Sequence, residues 1–173
     1  MNSNVWAKTI LSVYPYLENL ASAIDRIVER RALNSFYVSS TDTFKNNIYD
    51  VANKLIELSE RKIVLINLKI LTEETLKSCD RLLAKILIAK YFSKKTTKEI
   101  CEMFSIPART FFRKVFDAEV AFEKNLKLKG YDDKKLNNFL KDETWIFSVK
   151  EEFKTSKRDV CLDIRRFKSK VAF

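Results

Sequence analysis

The chain has 173 residues and a net charge of +10, which is enough length for a core of ordinary size and enough excess positive charge to attract a polyanion. It has no histidine and only three, widely separated cysteines, so it lacks the spacing for a zinc site, a redox pair or a histidine-based nucleophile. We therefore expect no enzyme activity, no metal site and no cofactor. One glycine and two prolines among many helix-forming residues favour an all-α protein.

The positive charge is concentrated in the middle of the chain. Residues 76–129 carry 13 basic and 6 acidic side chains, whereas residues 1–75 carry 9 of each and residues 130–173 carry 11 and 8. This distribution predicts that residues 76–129 bind a nucleic acid or an acidic membrane surface. The alternative is that these lysines only form a solvated face. The dispersed cysteines and the lack of an apolar run of about 20 residues predict a cytoplasmic protein that does not span a membrane.

The N-terminal region, to about residue 36, is predicted to form one or two short helices. Its apolar residues recur at helical spacing: Leu17, Leu20, Ile24, Ile27 and Val28. Pro15 is expected near a helix start or at a break between the two helices. Residues 34–43 are rich in Ser, Thr and Asn and predict a loop, in which Thr41 or Asp42 caps the next helix.

A long helix with a coiled-coil-like seam is predicted to follow. The seam comprises Phe44, Ile48, Val51, Leu55, Leu58 and Leu65. Lys62 interrupts it where a further apolar residue is due. Such a seam needs a partner, which is either another helix of the same chain or a second copy, so residues 41–71 are a candidate partner or homodimer contact.

The next predicted helix begins near Thr72, whose side chain is expected to act as an N-cap, and runs to about Phe92. Its apolar face comprises Leu82, Leu83, Ile86, Leu87 and Tyr91. Residues 93–97 then form a short polar turn.

Residues 97–116 have the pattern of a helix-turn-helix. A first short helix begins at Thr97, and Ser105 and Ile106 form the turn before Pro107 starts the second helix. The side chains expected to point into the core are Ile100, Cys101, Phe104, Phe111 and Val115.

The opposite face of the second helix is predicted to carry Arg109, Thr110, Phe112, Arg113 and Phe116. An arginine on such a face can form paired hydrogen bonds with guanine O6 and N7 in the major groove. Three lysines flank the start of the first helix, where free N–H groups also attract phosphate: Lys94, Lys95 and Lys98.

Residues 81–122 resemble region 4, the C-terminal promoter-reading module, of bacterial sigma-70-type factors and related phage and Firmicute regulators. The matching residues are Tyr91, Phe92, Thr97, Glu99, Ile100, Phe104, Ile106, Arg109, Thr110, Phe111 and Arg113. The chain departs from the usual pattern at Cys101, Ser105, Pro107 and Lys114. Residues 1–75 do not resemble the sigma region that melts the −10 element, so the resemblance implies an accessory regulator.

The resemblance implies that Arg109, Phe112 and Arg113 lie toward the bases and that Thr97 and the nearby lysines hold phosphates. The complete candidate DNA-binding set is Lys94, Lys95, Thr97, Lys98, Ala108, Arg109, Phe112, Arg113 and Lys114.

Structural roles are open for several of these residues. Arg109 could pair with Glu99, Phe112 and Phe116 could belong to the core, and Arg113 with Lys114 could form a solvated face.

The remainder of the chain is predicted to be a helical tail that packs on the core. Gly130 is suited to a left-handed helix end, and Trp145 is expected to anchor the core. Residues 159–167 could form a strand. The predicted organisation is therefore an N-terminal helical region over 1–75, a DNA-binding region over 76–130 and a tail over 131–173.

These features predict a helical bundle that binds double-stranded DNA sequence-specifically and regulates transcription, with RNA polymerase as a further candidate partner. One alternative is an adaptor that binds RNA polymerase or a sigma factor without contacting DNA. Another is a DNA-packaging protein similar to small phage terminase subunits, which combine helix-turn-helix and coiled-coil segments.

Overall fold

The computed structural model describes residues 4–37 and 45–155, and all regular secondary structure in these residues is helical. The all-α prediction is therefore confirmed. The helices are α1 (Val5–Tyr37), α2 (Lys45–Lys77), α3 (Arg81–Leu87), α4 (Thr97–Phe104), α5 (Ala108–Leu128), α6 (Asp133–Phe139) and α7 (Thr144–Thr155). A π-helical turn, Ile88–Phe92, extends α3. Within the described ranges, no helix is both long and apolar enough to cross a bilayer.

Several predicted features lie outside the described residues. They are the cap at Thr41 or Asp42, the seam residue Phe44, the third cysteine Cys161 and the strand considered for residues 159–167.

The chain forms two compact units, and α1 and α2 each contribute to both. Unit one comprises residues 1–15 and 70–173, and unit two comprises residues 16–69. The helix-turn-helix and all helices after it therefore belong to unit one.

Unit two is an antiparallel pair formed by the second part of α1 and most of α2. Lys62 Nζ lies 2.6 Å from Asp25 Oδ1, and Lys69 Nζ lies 2.9 Å from Glu18 Oε2. The later lysine on α2 thus pairs with the earlier carboxylate on α1, seven residues away in each helix, which shows that the two helices run in opposite directions. The predicted seam faces inward, since Leu58 and Leu65 are buried. Lys62, which interrupts the apolar seam, is accommodated at this interface because its ammonium group pairs with Asp25 of the opposite helix.

The predicted position of Pro15 is wrong, because α1 is one helix that passes through it. A proline inside a helix removes one backbone hydrogen bond and costs about 3 kcal/mol. Leu11, Val13 and Leu17 around it are fully buried, and burial of such side chains contributes about 1.5–3 kcal/mol each, which outweighs that cost.

The predicted helix start at Thr72 is also wrong, because α2 continues to Lys77. Thr72 is buried, and its neighbour Thr75 satisfies its own hydroxyl group by donating to the Leu71 carbonyl oxygen at 2.7 Å. Such bonds let threonine occupy a helix interior. The N-cap of α3 is Asp80, whose carboxylate accepts hydrogen bonds from the backbone N–H groups of Leu82 and Leu83.

The part of unit one that contains the helix-turn-helix is built around a small apolar cluster supplied by α3, its π-helical extension, α4 and α5. The buried members are Ile86, Ala89, Ile100, Phe111 and Val115, against which Cys101, Phe104 and Ile106 pack. The inward positions predicted for the two helices of the helix-turn-helix are thus confirmed.

A buried carboxylate joins α5 to the other elements of unit one. Glu119 Oε2 accepts a hydrogen bond from Asn4 Nδ2 at 2.6 Å, and Oε1 accepts one from the Tyr91 hydroxyl at 2.6 Å. The ammonium groups of Lys90 and Lys8 lie 3.3 and 3.7 Å from its oxygens. Glu119 therefore holds the start of α1 and the extension of α3 against α5.

At the end of α5 and in the segment that follows, Gly130 and Trp145 have the roles predicted from the sequence. Gly130 has a φ of 82°, and Tyr131 N–H donates to the Leu126 carbonyl oxygen across it at 3.0 Å, which is the left-handed ending that favours glycine. Trp145 is buried, and its indole N–H donates to Glu143 Oε2 at 2.7 Å. Trp145 is therefore a core anchor, as predicted.

Candidate nucleic-acid interface

The first helix of the helix-turn-helix begins with a capping box. The hydroxyl of Thr96 accepts a hydrogen bond from Glu99 N–H, while Thr96 N–H donates to Glu99 Oε2 at 2.6 Å. Donation from the Thr96 hydroxyl group, then from its backbone N–H, lowers the pKa of Glu99 below its usual value. α4 therefore starts at Thr97, as predicted, with an ionised carboxylate in its first turn.

The turn between the two helices depends on a left-handed serine. Ser105 has φ 52° and ψ 44°, so Ile106 N–H can donate to the Cys101 carbonyl oxygen at 3.0 Å. Pro107 then precedes α5 with a φ of −65°. Its side chain cannot cap, so the first N–H groups of α5 have no side-chain acceptor from the N-cap residue.

Two arginines lie one turn apart on the outer face of α5. Arg109 and Arg113 are both exposed, and neither forms an ion pair within the described residues. Arg109 forms no ion pair with Glu99, whose carboxylate oxygen Oε2 instead accepts hydrogen bonds from Thr96. Among the residues that the structure describes, the two guanidinium groups are therefore exposed and unpaired.

Aromatic side chains accompany the arginines. Phe112 is 56% exposed and Phe116 is 53% exposed, so the alternative that places both in the core is wrong. The Phe112 ring packs edge-on against buried Phe111, with 5.3 Å between centroids. α5 thus presents a mixed cationic and aromatic surface.

The lysines predicted to bind phosphate lie around the start of α4. Lys94, Lys95 and Lys98 are exposed, as is Thr97 at the first helical position. Lys94 has a left-handed backbone with a φ of 49°, which ends the π-helical extension of α3. An N-terminal helix end and several cations are a combination that attracts anions, although Glu99 already offsets part of the helix dipole.

Eight of the nine candidate DNA-binding residues are exposed, including Ala108, and Lys114 is half-buried.

Sequence reasoning missed one feature of this surface, which is its apolar content beyond the two phenylalanines. Met103 on α4 and Val120 on α5 are also exposed. The signal was present in the spacing of Phe112, Phe116 and Val120, which recur every four residues along one helix face.

The molecule is thus an all-α protein with a helix-turn-helix whose second helix exposes two arginines. Across the described ranges, no three Cys, Asp or Glu side chains are grouped closely enough to hold a metal ion. Comparison of the chain with protein-family models, with curated proteins and with solved structures gives no match.

Proposed function

We propose that the protein binds double-stranded DNA sequence-specifically and acts in the cytoplasm as an accessory transcription regulator. The single observation that carries this proposal is the exposed pair Arg109 and Arg113, which form no ion pair within the described residues. Residues four apart on a helix are separated by about 6 Å along its axis. This distance is close to two base-pair steps of about 3.4 Å each, so the two guanidinium groups suit two guanines in one major groove.

The surrounding residues suit the same role. Lys95, Lys98 and Thr97 at the start of α4 would contact phosphates and set the register of α5 without reading sequence. The uncapped start of α5 supplies further N–H donors for a phosphate. The resemblance of residues 81–122 to sigma region 4 supports the same assignment of roles.

Duplexes selected from a random pool, followed by anisotropy titration, test the proposal. We expect Arg109→Ala and Arg113→Ala each to lose about 1–3 kcal/mol on the selected duplex and to relax preference at one position. Lys95→Ala should weaken binding to all duplexes evenly and reduce the salt slope by about one, because one phosphate contact is lost.

Arg26→Ala is the matched control, since Arg26 is an exposed arginine outside the helix-turn-helix. Its duplex affinity should equal that of the unmodified protein. Equal affinity in all of the variants, with helicity unchanged, would contradict the proposal.

A protein-binding adaptor is the second candidate, and one specific observation favours it. The exposed apolar residues Met103, Phe112, Phe116 and Val120 lie on α4 and α5, the second of which carries both arginines, and methionine and aromatic side chains are enriched at protein interfaces. An adaptor would show no steep salt-dependent binding to duplex DNA, whereas a DNA-binding protein would. RNA polymerase or a sigma factor is the partner to test in that case.

A further inference from the structure

The outer face of α2 carries a stripe of large apolar side chains at intervals of seven residues. Tyr49, Ile56 and Ile63 are 74, 57 and 56% exposed. The same spacing continues along the helix to Ile70, which is also exposed. We call Tyr49, Ile56 and Ile63 the outer stripe.

The outer stripe is distinct from the seam that packs within unit two. Leu58 and Leu65 follow Ile56 and Ile63 by two residues, which is a rotation of about 200° around the helix. The leucines are buried, so α2 has one apolar seam in use and a second that faces solvent. Apolar residues that recur every seven positions are typical of helices that pack side by side, whereas scattered exposed apolar residues have no such spacing.

The residues between the stripe positions limit what can cover it. Three residues after each stripe member lie Ala52, Ser59 and Ile66, of which the first two are small. A covering helix must therefore offer small side chains opposite the stripe and large ones opposite Ala52 and Ser59, if the interface is to fill space without voids.

A second copy of α2 meets this condition when it runs in the opposite direction, and we propose that two chains associate in this way. Antiparallel pairing places each stripe residue of one chain opposite a residue of the other chain that lies three positions after a stripe residue. Ile56 then packs on Ser59 of the second copy, Ile63 packs on its Ala52, and Tyr49 packs on its Ile66. The four central layers each join a large with a small side chain, and the two end layers join Tyr49 with Ile66.

A parallel pair fits less well. It would stack Ala52 on Ala52 and Ser59 on Ser59, which leaves cavities between layers of paired isoleucines. Charge is also compatible with the antiparallel pair, because Glu60 would lie opposite Asn53 of the second copy. Glu57, which flanks the stripe, already has a partner in its own chain, since Lys54 Nζ lies 2.7 Å from its carboxylate.

Sedimentation equilibrium without DNA tests the association. We expect a reversible dimer, and we expect Ile56→Gln and Ile63→Gln each to raise its dissociation constant at least about tenfold, because each change removes two buried isoleucines per dimer. Leu33→Gln is the matched control, since Leu33 is an equally exposed apolar residue on α1, 59% exposed, that is outside the stripe. It should leave the dissociation constant unchanged.

Disulfide cross-linking tests the direction. In the antiparallel pair the two copies of residue 63 are roughly 16 Å apart along the axis, too far for a disulfide, whereas residue 63 lies beside residue 52 of the second copy. A mixture of Ile63→Cys and Ala52→Cys chains should therefore give a 63–52 linked peptide by mass spectrometry. Ile63→Cys alone should give no 63–63 peptide.

A monomer at all concentrations, or a dimer that tolerates both glutamine variants, would overturn the association. A 63–63 linked peptide would overturn the antiparallel arrangement. Self-association through the outer stripe does not require DNA binding, so these results are independent of the duplex titrations.

Discussion

Ser105 occupies a backbone conformation that costs energy for any residue with a side chain. Its φ of 52° and ψ of 44° are left-handed, where contact between Cβ and the carbonyl oxygen costs roughly 1–2 kcal/mol. The conformation persists because it lets Ser105 and Ile106 donate to the carbonyl oxygens of Glu102 and Cys101. The turn that aims α5 therefore carries local strain that glycine would relieve.

We expect Ser105→Gly to raise the free energy of unfolding by about 1 kcal/mol in urea titrations, since glycine adopts this conformation freely but also loses more entropy on folding. Ser22→Gly is the control, because Ser22 is exposed in the interior of α1. That change should lower the free energy of unfolding by about 0.5 kcal/mol. Equal destabilisation by both changes would contradict the account of the turn.

At the scale of helices, Glu119 determines how α1 and the extension of α3 meet α5. Its carboxylate is buried and binds two polar side chains and two ammonium groups. Removal of its charge would leave the two lysines with a weaker acceptor. The Asn4 amide and the Tyr91 hydroxyl would then compete for the single acceptor oxygen of an amide.

We expect Glu119→Gln to lower the free energy of unfolding by about 2 kcal/mol, in the range of hydrogen bonds to charged groups. The control is Glu151→Gln on α7, whose carboxylate pairs with Lys154 at an exposed site. Exposed pairs contribute about 0–1 kcal/mol, so that variant should remain close to the unmodified protein. Urea unfolding followed by tryptophan fluorescence measures both.

The sequence predicted those features whose cause is local. Ile100, Phe111 and Val115 were assigned to the core because helical periodicity alone separates inner from outer positions, and Gly130 was assigned to a helix end for an equally local reason. Glu119 was missed because its partner Asn4 lies 115 residues away in the chain.

Other predictions failed where two local choices compete. Thr72 can cap a helix or lie inside one, and burial of Thr72 within α2 decided the outcome. On α2, the predicted seam packs internally at Leu58 and Leu65, but the second row of apolar residues on the same helix was missed. The structure buries the Leu58 and Leu65 seam and leaves the Tyr49, Ile56 and Ile63 stripe exposed.

At the scale of the whole molecule, the two units differ in what can stabilise them. Unit one contains both buried tryptophans, Trp6 and Trp145, and the helix-turn-helix cluster. Unit two spans residues 16–69, and its described part is one helix pair. A core this small supplies at most a few kcal/mol. Self-association through the outer stripe would raise the stability of unit two specifically.

Unfolding followed by two probes separates these contributions. Tryptophan fluorescence reports unit one, because both tryptophans lie there, whereas far-ultraviolet circular dichroism reports the helices of both units. At low protein concentration we expect the circular dichroism midpoint in urea to lie below the fluorescence midpoint. A tenfold increase in protein concentration should stabilise the associated state by about 1.4 kcal/mol and move the two midpoints together.

The variants of the stripe complete this test. Because Ile56→Gln and Ile63→Gln remove apolar contact between chains while leaving the buried Leu58 and Leu65 seam intact, each should move the dependence of the circular dichroism midpoint to protein concentrations at least about tenfold higher. Their fluorescence midpoints should stay unchanged, and Leu33→Gln should keep the dependence. Midpoints that coincide at every concentration would show that α1 and α2, which run through both units, couple them into one transition without help from a second chain.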